Sequence, residues 1–310
     1  MRRAWLAVAT AIVVWACGPA EVEDADADAE SSSSEISVGT RVCSWNIRRL
    51  GHQFDNRPKN LRATASVIKR NCDVVAVQEV MQLNGVAVGH RDLLATLGSD
   101  WIGVVTETPQ PNDPVASSSE HYAFYIRKTR ASLCSDWDGV KQLQDDEGTF
   151  SREPAWTCVK VHNRSTELLL ISYHAIFGSM AERRREVGAL DDDLNHDGVR
   201  DDLLRAVRES RAGTPDVIMV GDFNLGTKDI LGELPTWRDL AVGTGSTLNL
   251  QDQITSNLYD HALIPPDQPG LEQVQPAKVL DVRDIAEDDT FFRSVSDHLP
   301  IRFTLRATAP

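Results

Sequence analysis

A short buried strand that ends in a glycine and two polar residues constrains the fold of this chain most. The apolar run Asp216–Val220 is followed by Gly221-Asp222-Phe223-Asn224. Such a run predicts a buried strand, and a glycine lets the backbone turn where the strand ends. Burying a carboxylate and a carboxamide there costs free energy unless both find partners. Alone, the stretch is equally typical of an ordinary strand-to-loop turn and of a functional site.

The rest of the chain contains many apolar runs of the same kind, separated by helical patterns. Strands are predicted at Val42–Ile47, Asp73–Glu79, Trp101–Thr106, His121–Arg127, Trp156–Val161, Leu168–His174, Val217–Asp222, Asp260–Ile264 and Ile301–Leu305. Helices are predicted at Pro58–Arg70, Arg91–Leu97, Ala181–Leu190 and Asp202–Arg211, with Pro58 in the first turn of the first helix. This alternation favours an α/β (α+β) sandwich of two sheets with helices outside.

Polar residues cluster at the ends of these runs. They are Asn46, Glu79, His174, Asp222, Asn224, Asp260, Asp297 and His298. If the strands converge, these side chains form one pocket rich in hard oxygen ligands, which suits Mg²⁺ or Ca²⁺ more than Zn²⁺. The favoured chemistry is metal-assisted attack of water on a phosphoester, with a histidine–carboxylate pair as base and a second imidazole stabilising charge. The sequence has no Gly-x-Ser-x-Gly, P-loop, His-Glu-x-x-His or dinucleotide-binding motif, which disfavours those enzyme classes.

The amino terminus predicts export. Two arginines precede the apolar run Ala4–Ala16, which is too short to span a bilayer and is typical of a signal peptide over residues 1–16. The run leads into a stretch that resembles a bacterial lipobox, with Cys17 as the acylated first residue of a lipoprotein. An ordinary cleaved signal with an incidental cysteine is the alternative. Residues 17–37 then predict an acidic, Ser-rich tether, and residues 38–310 a catalytic domain outside the cytoplasm, membrane-anchored or secreted.

The other four cysteines fall in the predicted domain, where an exported compartment permits disulfides. Cys134 and Cys158 lie in strand-like runs on either side of a turn, so they are the preferred pair. Cys43 is as typical of a buried free thiol as of a disulfide. No cysteine pair has the spacing of a metal finger.

The formal net charge is −14, so the totals contain no basic patch for general nucleic-acid binding. An acidic enzyme can still hold a polyanion if its site concentrates a few arginines and a divalent metal.

Seven short motifs occur along Val42–Leu305 in one order. They are Trp45-Asn46-Ile47-Arg48, Val77-Gln78-Glu79-Val80, Glu120-His121-Tyr122, Ser172-Tyr173-His174, Gly221-Asp222-Phe223-Asn224, Tyr259-Asp260-His261 and Ser296-Asp297-His298-Leu299-Pro300. In this order they resemble the endonuclease/exonuclease/phosphatase superfamily. Phe150-Ser151-Arg152-Glu153-Pro154-Ala155 and the Asn46-Ile47-Arg48 triplet make the chain most similar to its deoxyribonuclease I-like branch. The resemblance implies a four-layer sandwich of two mostly antiparallel sheets flanked by helices.

The resemblance also implies a metal site and residues that bind the substrate phosphates. Glu79 would be the principal ligand of Mg²⁺ or Mn²⁺, with Asn46 and Asp297 near the same ion. Arg48 and Arg152 would contact substrate phosphates, a task that suits a guanidinium group.

The acid–base groups follow from the same resemblance. His298, oriented by Asp260, and His174, oriented by Glu120, would be the acid–base pair. Asp222 would position water or metal, and Asn224 would donate to the phosphoryl oxygens as they gain charge.

The sequence departs from that branch at two positions that would bind DNA. Met81 stands where the branch has an arginine that reaches into the minor groove, and Ser118 stands where it has a tyrosine that packs on a sugar. Phosphodiester cleavage is therefore better supported than DNA as the substrate.

Three functions remain in competition. The leading hypothesis is a monomeric, divalent-metal-dependent endonuclease that cuts DNA to 5′-phosphate ends. The alternative is a phosphodiesterase or phosphatase acting on phospholipid or inositol phosphate headgroups, against which no aromatic membrane-inserting hairpin is evident. A non-catalytic surface binding module would have eroded catalytic positions, but all of them are present.

A second ion site is predicted in an acidic loop. Its oxygen ligands would be Asp193, Asn195, Asp197 and Asp201, with Gly198 at the sixth position of a calcium loop and possible Ca²⁺ binding in a structural role. The twelfth position is Leu204, where a bidentate acid is wanted. The alternative is a polar turn whose acids sit at the start of the next helix, where the helix dipole favours them.

Overall fold

The apolar runs form β-strands in a computed structural model of the chain, which describes residues 39–53, 57–111, 119–145, 148–192, 202–272, 274–286 and 290–307. The strands are β1 (Thr40–Leu50), β2 (Val74–Met81), β3 (Trp101–Val105), β4 (Gln110–Pro111), β5 (Ser119–Arg127), β6 (Ala131–Leu133), β7 (Lys141–Gln142), β8 (Ala155–Val161), β9 (Leu168–His174), β10 (Asp216–Asp222), β11 (Arg238–Asp239), β12 (Ala241–Val242), β13 (Asp260–Ile264), β14 (Ala277–Val279) and β15 (Ile301–Leu305). The predicted strands are all present, with bounds that differ by a few residues.

Helices lie between the strands. They are α1 (Leu61–Asn71), α2 (Val88–Leu97), α3 (Met180–Gly188), α4 (Asp202–Glu209), α5 (Thr227–Glu233) and α6 (Phe291–Ser294). Across the described ranges, none of these helices has the length and apolar character needed to cross a membrane.

The strands make two mixed, mostly antiparallel sheets. The first has the order β12-β14-β15-β1-β2-β5-β3 with β4 beside β5, and the second has the order β11-β13-β10-β9-β8-β6 with β7 beside β8. Each sheet has a parallel pair at its centre, β1 with β2 and β9 with β10. The expected two-sheet sandwich is therefore confirmed.

Alternation along the strands explains the four layers. In β10, Ile218 and Val220 pack between the sheets, whereas Val217 and Met219 pack on the opposite face against the helical layer of α3, α4 and α5. Strands buried on both faces have continuous apolar sequences, as these do. Each such side chain stabilises the fold by roughly 1.5–3 kcal/mol relative to an exposed one.

The first helix begins later than its sequence predicts. It starts at Leu61, and Asn60 is its N-cap, whose side chain accepts a hydrogen bond from the backbone N–H of Ala63. The expectation that Pro58 lies in the first turn is wrong, because the Asn60 cap satisfies the helix end after the proline.

Two disulfides join the described cysteines. Cys134 bonds to Cys158, as predicted, with 5.4 Å between their Cα atoms. Cys43 on β1 bonds to Cys72, which follows α1, with 5.8 Å between Cα atoms. The free-thiol alternative for Cys43 is wrong, because α1 returns the chain to the edge of β1.

Candidate active site

The central parallel pairs bring the polar strand ends together. In the second sheet Asp222 on β10 is directly opposite His174 on β9 and Asp260 on β13. In the first sheet Asn46 on β1 is opposite Gln78 on β2. Parallel neighbours end at the same edge of a sheet, so β1 ends beside β2 and β9 ends beside β10. The antiparallel strand β13 begins beside the end of β10, which places Asp260 next to Asp222.

Local backbone irregularities direct two of these ends into the pocket. The pairing of β2 with β5 shifts register after Val77, and Glu79 in that bulge has a φ of 57°. Bulges of this kind re-aim side chains beside active sites. A Cβ at Gly221 would lie 1.8 Å from the carbonyl oxygen of Tyr173, so the close approach of β10 to β9 requires glycine.

The first histidine–carboxylate pair joins His174 on β9 of the second sheet to Glu120 on β5 of the first sheet. His174 Nδ1 lies 2.7 Å from Glu120 Oε1, and its Nε2 lies 3.8 Å from Asp222 Oδ2. The backbone N–H of His174 donates to the hydroxyl of Tyr122 at 3.1 Å. The Glu120 carboxylate therefore fixes which ring nitrogen faces the pocket.

The second histidine–carboxylate pair is His298 with Asp260, and its imidazole also approaches Asp222. His298 Nδ1 lies 2.7 Å from Asp260 Oδ2, and its Nε2 lies 3.4 Å from Asp222 Oδ2. The hydroxyl of Ser246 donates to Asp260 Oδ2 at 2.6 Å. The structure thus brings together both predicted histidine–carboxylate pairs, with their Nε2 atoms directed toward Asp222.

Burial and opposite charges together shift the pKa values of this cluster. Burial lowers the pKa of His298, but the carboxylates of Asp260 and Asp222 outweigh it and raise that pKa well above its ordinary value. Burial and Arg152 lower the pKa of His174, while Glu120 and Asp222 give it a net increase. Burial raises the pKa of Asp222, but the two imidazoles outweigh it and lower the pKa. Asp222 is therefore a carboxylate between two basic imidazoles.

A group of oxygen atoms beside the histidines suits a hard cation. Glu79 and Asp297 line the same cavity of about 370 Å³ as His298. Asp297 Oδ2 accepts a 3.2 Å hydrogen bond from Arg48, and its buried Oδ1 has no hydrogen-bond partner among the described residues. Two carboxylates, one with an unsatisfied buried oxygen, fit Mg²⁺, Mn²⁺ or Ca²⁺.

Asn46 orients the carboxylates through its amide. Its Nδ2 donates to Glu79 Oε1 and to Asp222 Oδ2, both at 3.0 Å, and its Oδ1 accepts from the backbone N–H of Arg48 at 2.9 Å. Its oxygen is thus engaged with the backbone, and its Nδ2 links the carboxylates of Glu79 and Asp222.

Both arginines expected at substrate phosphates line the cavity, and Arg152 is the more deeply buried of the two. Arg48 lines the cavity beside Asp297, with its guanidinium 4.2 Å from the ring centroid of Phe292. Arg152 is 1% exposed, and it donates to the carbonyl oxygens of His174 and Ala175 at 2.9 and 2.5 Å. Arg152 therefore holds the end of β9, and only its Nη1 lacks a hydrogen-bond partner in the described part of the chain.

Asn224 is positioned by its own backbone turn. It has a φ of 51°, its N–H donates to Asp222 Oδ1 at 2.9 Å, and its Nδ2 donates to the carbonyl of Ala175 at 2.9 Å. A primary amide has two N–H donors, so one remains for a phosphoryl oxygen.

Several residues of the site were not predicted to be functional. Tyr122 and Ser246 support the two histidine pairs, and the cavity is also lined by Arg49, Phe177 and Tyr259. Phe177 follows His174 by three residues, which is a weak signal. Ser246 lies in a Gly/Ser/Thr-rich stretch, where a hydroxyl that supports Asp260 cannot be told from a turn residue.

Met81, which replaces the expected DNA-binding arginine, is fully buried and pairs with Glu120 between β2 and β5. Ser118, Cys17 and the predicted calcium ligands Asp193, Asn195, Asp197 and Asp201 lie outside the described residues.

A pocket of this kind can transfer protons at two imidazoles and hold a divalent cation beside one phosphate. Together with the two-sheet sandwich, it defines the class of phosphoester hydrolases. Within that class, the chain belongs to the Endonuclease/Exonuclease/phosphatase family, whose model matches residues 43–298. Members of this family are hydrolases of phosphoesters and generally depend on divalent metals.

Relatives support the deoxyribonuclease I-like branch of the family. Deoxyribonuclease gamma of Homo sapiens is 21% identical over 291 residues, which cover 88% of each chain. Among solved structures, an endonuclease/exonuclease/phosphatase family protein from Bacteroides thetaiotaomicron matches with a TM-score of 0.55 and 16% identity over 86% of this chain and 94% of that chain.

Other solved structures share the fold. A mannosyl-6-phosphatase from Bacteroides thetaiotaomicron VPI-5482 matches with a TM-score of 0.54 and 15% identity, over 85% of this chain and 98% of that one. TDP2 of D. rerio in complex with a single-strand DNA product matches with a TM-score of 0.52 and 14% identity, over 86% and 98%. At these identities the structural matches establish the fold alone.

Proposed function

We propose that the chain is a divalent-metal-dependent endonuclease that hydrolyses DNA to 5′-phosphate ends by histidine-activated attack of water. Family membership establishes phosphoester hydrolysis, and the polymeric substrate is what the proposal adds. The observation that carries it is the approach of His174 Nε2 and His298 Nε2 to one Asp222 oxygen, at 3.8 and 3.4 Å. The similarity to deoxyribonuclease gamma supports DNA over smaller esters.

The two imidazoles account for the proton balance of the reaction. A neutral imidazole accepts a proton from water as the water oxygen forms its bond to phosphorus. The other imidazole, protonated, donates its proton to the 3′-oxygen as the P–O3′ bond breaks. The second amide N–H of Asn224 donates to a phosphoryl oxygen as that oxygen gains charge. The Asp222 carboxylate between the two rings stabilises whichever one is protonated.

Glu79 and Asp297 would hold the divalent ion, which we propose to be Mg²⁺ or Mn²⁺. When bound, the ion neutralises charge on the phosphoryl oxygens. Asn46 keeps Glu79 in place through its 3.0 Å hydrogen bond, and Arg48 keeps Asp297 in place at 3.2 Å.

Plasmid nicking tests this function. Supercoiled plasmid is incubated with wild type and with His298→Ala in Mg²⁺, in Mn²⁺, in Ca²⁺ and in EDTA. We expect nicking by wild type that needs Mg²⁺ or Mn²⁺ and that the variant lacks. Absence of metal-dependent nicking by the wild type would refute the nuclease assignment.

A phosphodiesterase or phosphatase acting on phospholipid or inositol phosphate headgroups is the second candidate. Its support is Met81, which is buried and so offers DNA no contact at the position where the branch carries an arginine. Release of phosphate or headgroup from such substrates, in the absence of plasmid nicking, would favour it over the nuclease. A non-catalytic binding module would be inactive on every one of these substrates.

We also propose that the chain acts outside the cytoplasm as a monomer, either as a lipoprotein anchored at Cys17 or as a secreted protein. The two disulfides support an oxidising compartment. Labelled palmitate in a bacterial host separates the two forms. Label on wild type that Cys17→Ser lacks supports the anchor, and an unlabelled wild type supports the cleaved signal.

A structural Ca²⁺ at the acidic loop remains a proposal from sequence. Titration calorimetry of Ca²⁺ into wild type and into a variant with Asp193→Ala and Asp197→Ala tests it. Loss of one binding event supports the loop as a calcium site, whereas unchanged binding leaves it as a polar turn.

A further inference from the structure

An exposed phenylalanine lines the cavity. Phe177 lies in the segment between β9 and α3, is 63% exposed, and lines the cavity with His174, Asp222 and Asn224. Burying a phenylalanine normally stabilises a protein, so its exposure here forgoes packing. A single exposed apolar residue needs no explanation, but this one sits three residues after a histidine of the acid–base pair.

The ring is held in place by a guanidinium group. The centre of the Arg183 guanidinium lies 4.9 Å from the Phe177 ring centroid and 6.0 Å from that of Tyr259. Arg183 donates from Nε to the carbonyl of Gly178 at 2.8 Å and from Nη1 to the carbonyl of Asn224 at 2.9 Å. It therefore ties the segment that carries Phe177 to the turn that carries Asn224.

The helix that follows fixes the same segment from its other end. Ser179 is the N-cap of α3 and forms a reciprocal capping box with Glu182. The segment that carries the ring is thus held before any substrate arrives, which reduces the entropy lost on binding.

We propose that Phe177, backed by Arg183, is a subsite on which a nucleobase of the substrate stacks. The inference rests on the proposed nuclease function and deepens it. Arg48 and Arg49 line the same cavity and suit phosphates, while Phe177 presents a flat apolar face. A substrate that needs both kinds of contact carries phosphates and flat aromatic rings in alternation, as a nucleic acid strand does.

Stacking also selects the form of the nucleic acid. A base can lie on Phe177 only if it leaves its own stack, which costs less in a single strand than in a duplex. The buried Met81 leaves no arginine at the position that reads the minor groove in the branch. The enzyme is therefore expected to cleave single-stranded DNA faster than duplex DNA of the same sequence.

The test uses two single-stranded oligonucleotides that each carry one cleavable phosphodiester, the rest being methylphosphonates. One has bases on both sides of the cleavable bond, and the other has abasic residues there. Values of kcat/KM are measured for wild type, Phe177→Ala, Phe177→Trp and Met180→Ala. Met180 is a matched control, because it is 48% exposed in the first turn of α3 and is not among the residues that line the cavity.

We expect Phe177→Ala to lower kcat/KM on the base-bearing strand by about tenfold, to change it little on the abasic strand, and to be rescued by tryptophan. Met180→Ala should match the wild type on both strands. Equal losses on the two strands would make Phe177 a structural residue and overturn the subsite. Weaker binding of Phe177→Ala to anionic phospholipid vesicles, with unchanged oligonucleotide cleavage, would assign the ring to a membrane surface and also overturn it.

The same assay separates the subsite from the nuclease function. A wild type that cleaves both strands at equal rates contradicts the subsite and leaves the nuclease intact. A wild type that cleaves neither strand contradicts both.

Discussion

His298 and Phe177 border the same cavity, but the protein holds them in opposite ways. The His298 ring bonds to Asp260, and its backbone groups bond to Ser296 and to Trp45. The ring of Phe177 is exposed and lies on the segment that connects β9 to α3. We call the first region the strand-end wall (His174, Asp222, Asp260 and His298) and the second the rim (Arg49, Phe177 and Tyr259).

We infer from this difference that the strand-end wall carries out the reaction and that the rim recognises the substrate. In the strand-end wall, His174, Asp222 and Asp260 are set by the registers of β9, β10 and β13, so they cannot move without rearranging a sheet. His298 is tied to them by its hydrogen bond to Asp260. The rim lies on loops and strand ends, where side chains can change at little cost to the fold. We therefore expect changes in the wall to abolish turnover of every substrate, and changes in the rim to alter which substrate is used.

The largest effect is expected from the histidines. His174→Ala and His298→Ala should each lower kcat on oligonucleotides by about 10²–10⁴-fold, because each removes a proton-transfer group. A bis-p-nitrophenyl phosphate substrate sharpens the comparison, since its leaving group needs no proton. The variant that lacks the general acid should recover most of its activity on that substrate. Circular dichroism is the control for folding, and equal losses by both variants on both substrates would contradict separate acid and base roles.

A smaller loss of Mg²⁺ affinity and kcat is expected from a change at Asn46. Asn46→Ala removes the amide that donates to Glu79 and Asp222. Removal of such an orienting contact typically costs about 10–100-fold in metal affinity or activity. Titration calorimetry with Mg²⁺ and kcat together measure it, with Asn257→Ala on the exposed surface as the control. Unchanged Mg²⁺ affinity and kcat would show that the carboxylates need no support from Asn46.

The pH profile tests the electrostatics of the strand-end wall. Asp260 raises the pKa of His298, so the imidazolium persists to higher pH in the wild type. Asp260→Asn removes this contribution and lowers the His298 pKa. The limb of the pH–rate profile that reports His298 should move to lower pH, whichever proton-transfer role the ring has. Asp281→Asn, in an exposed ion pair with Arg283, should leave the profile unchanged. A shift to higher pH in Asp260→Asn would contradict the assignment.

The smallest effect is expected at the rim. Arg49 lines the cavity beside Glu79, and Arg49→Gln removes one positive charge from it. KM for a single-stranded oligonucleotide should rise several-fold at constant kcat, and the slope of log affinity against log salt should fall by about 0.7. Arg91→Gln, on the exposed face of α2, serves as the control. A fall in kcat at constant KM would place Arg49 in the strand-end wall instead.

The sequence predicted most of the fold and of the strand-end wall for one physical reason. Runs such as Leu168–His174 and Asp260–Ile264 are apolar because both faces are buried, and a polar residue at their end is costly without partners. The predicted bounds of these two strands match the structure. Once the strands pair, their registers leave the polar residues at the strand ends few other positions.

The remaining features depend on contacts distant in sequence. The bond between Cys43 and Cys72 exists because α1 folds back along β1. Arg152 is buried because carbonyls at the end of β9 accept from it, and the sequence offers no sign of that. Phe177 in the rim could not be predicted from the sequence, because a single exposed phenylalanine belongs to no periodic apolar pattern. It is recognisable only when Arg183 and the cavity are seen beside it.

The central claim is that the two imidazole–carboxylate pairs direct water onto the phosphorus of a phosphodiester. Cleavage of a single-stranded oligonucleotide in Mg²⁺ and in water enriched in the heavy oxygen isotope tests it most directly. Mass spectrometry of the fragments should find one heavy oxygen in a new 5′-phosphate and none in the new 3′-hydroxyl. A 3′-phosphate product, or a 5′-phosphate without the heavy oxygen, would contradict the account.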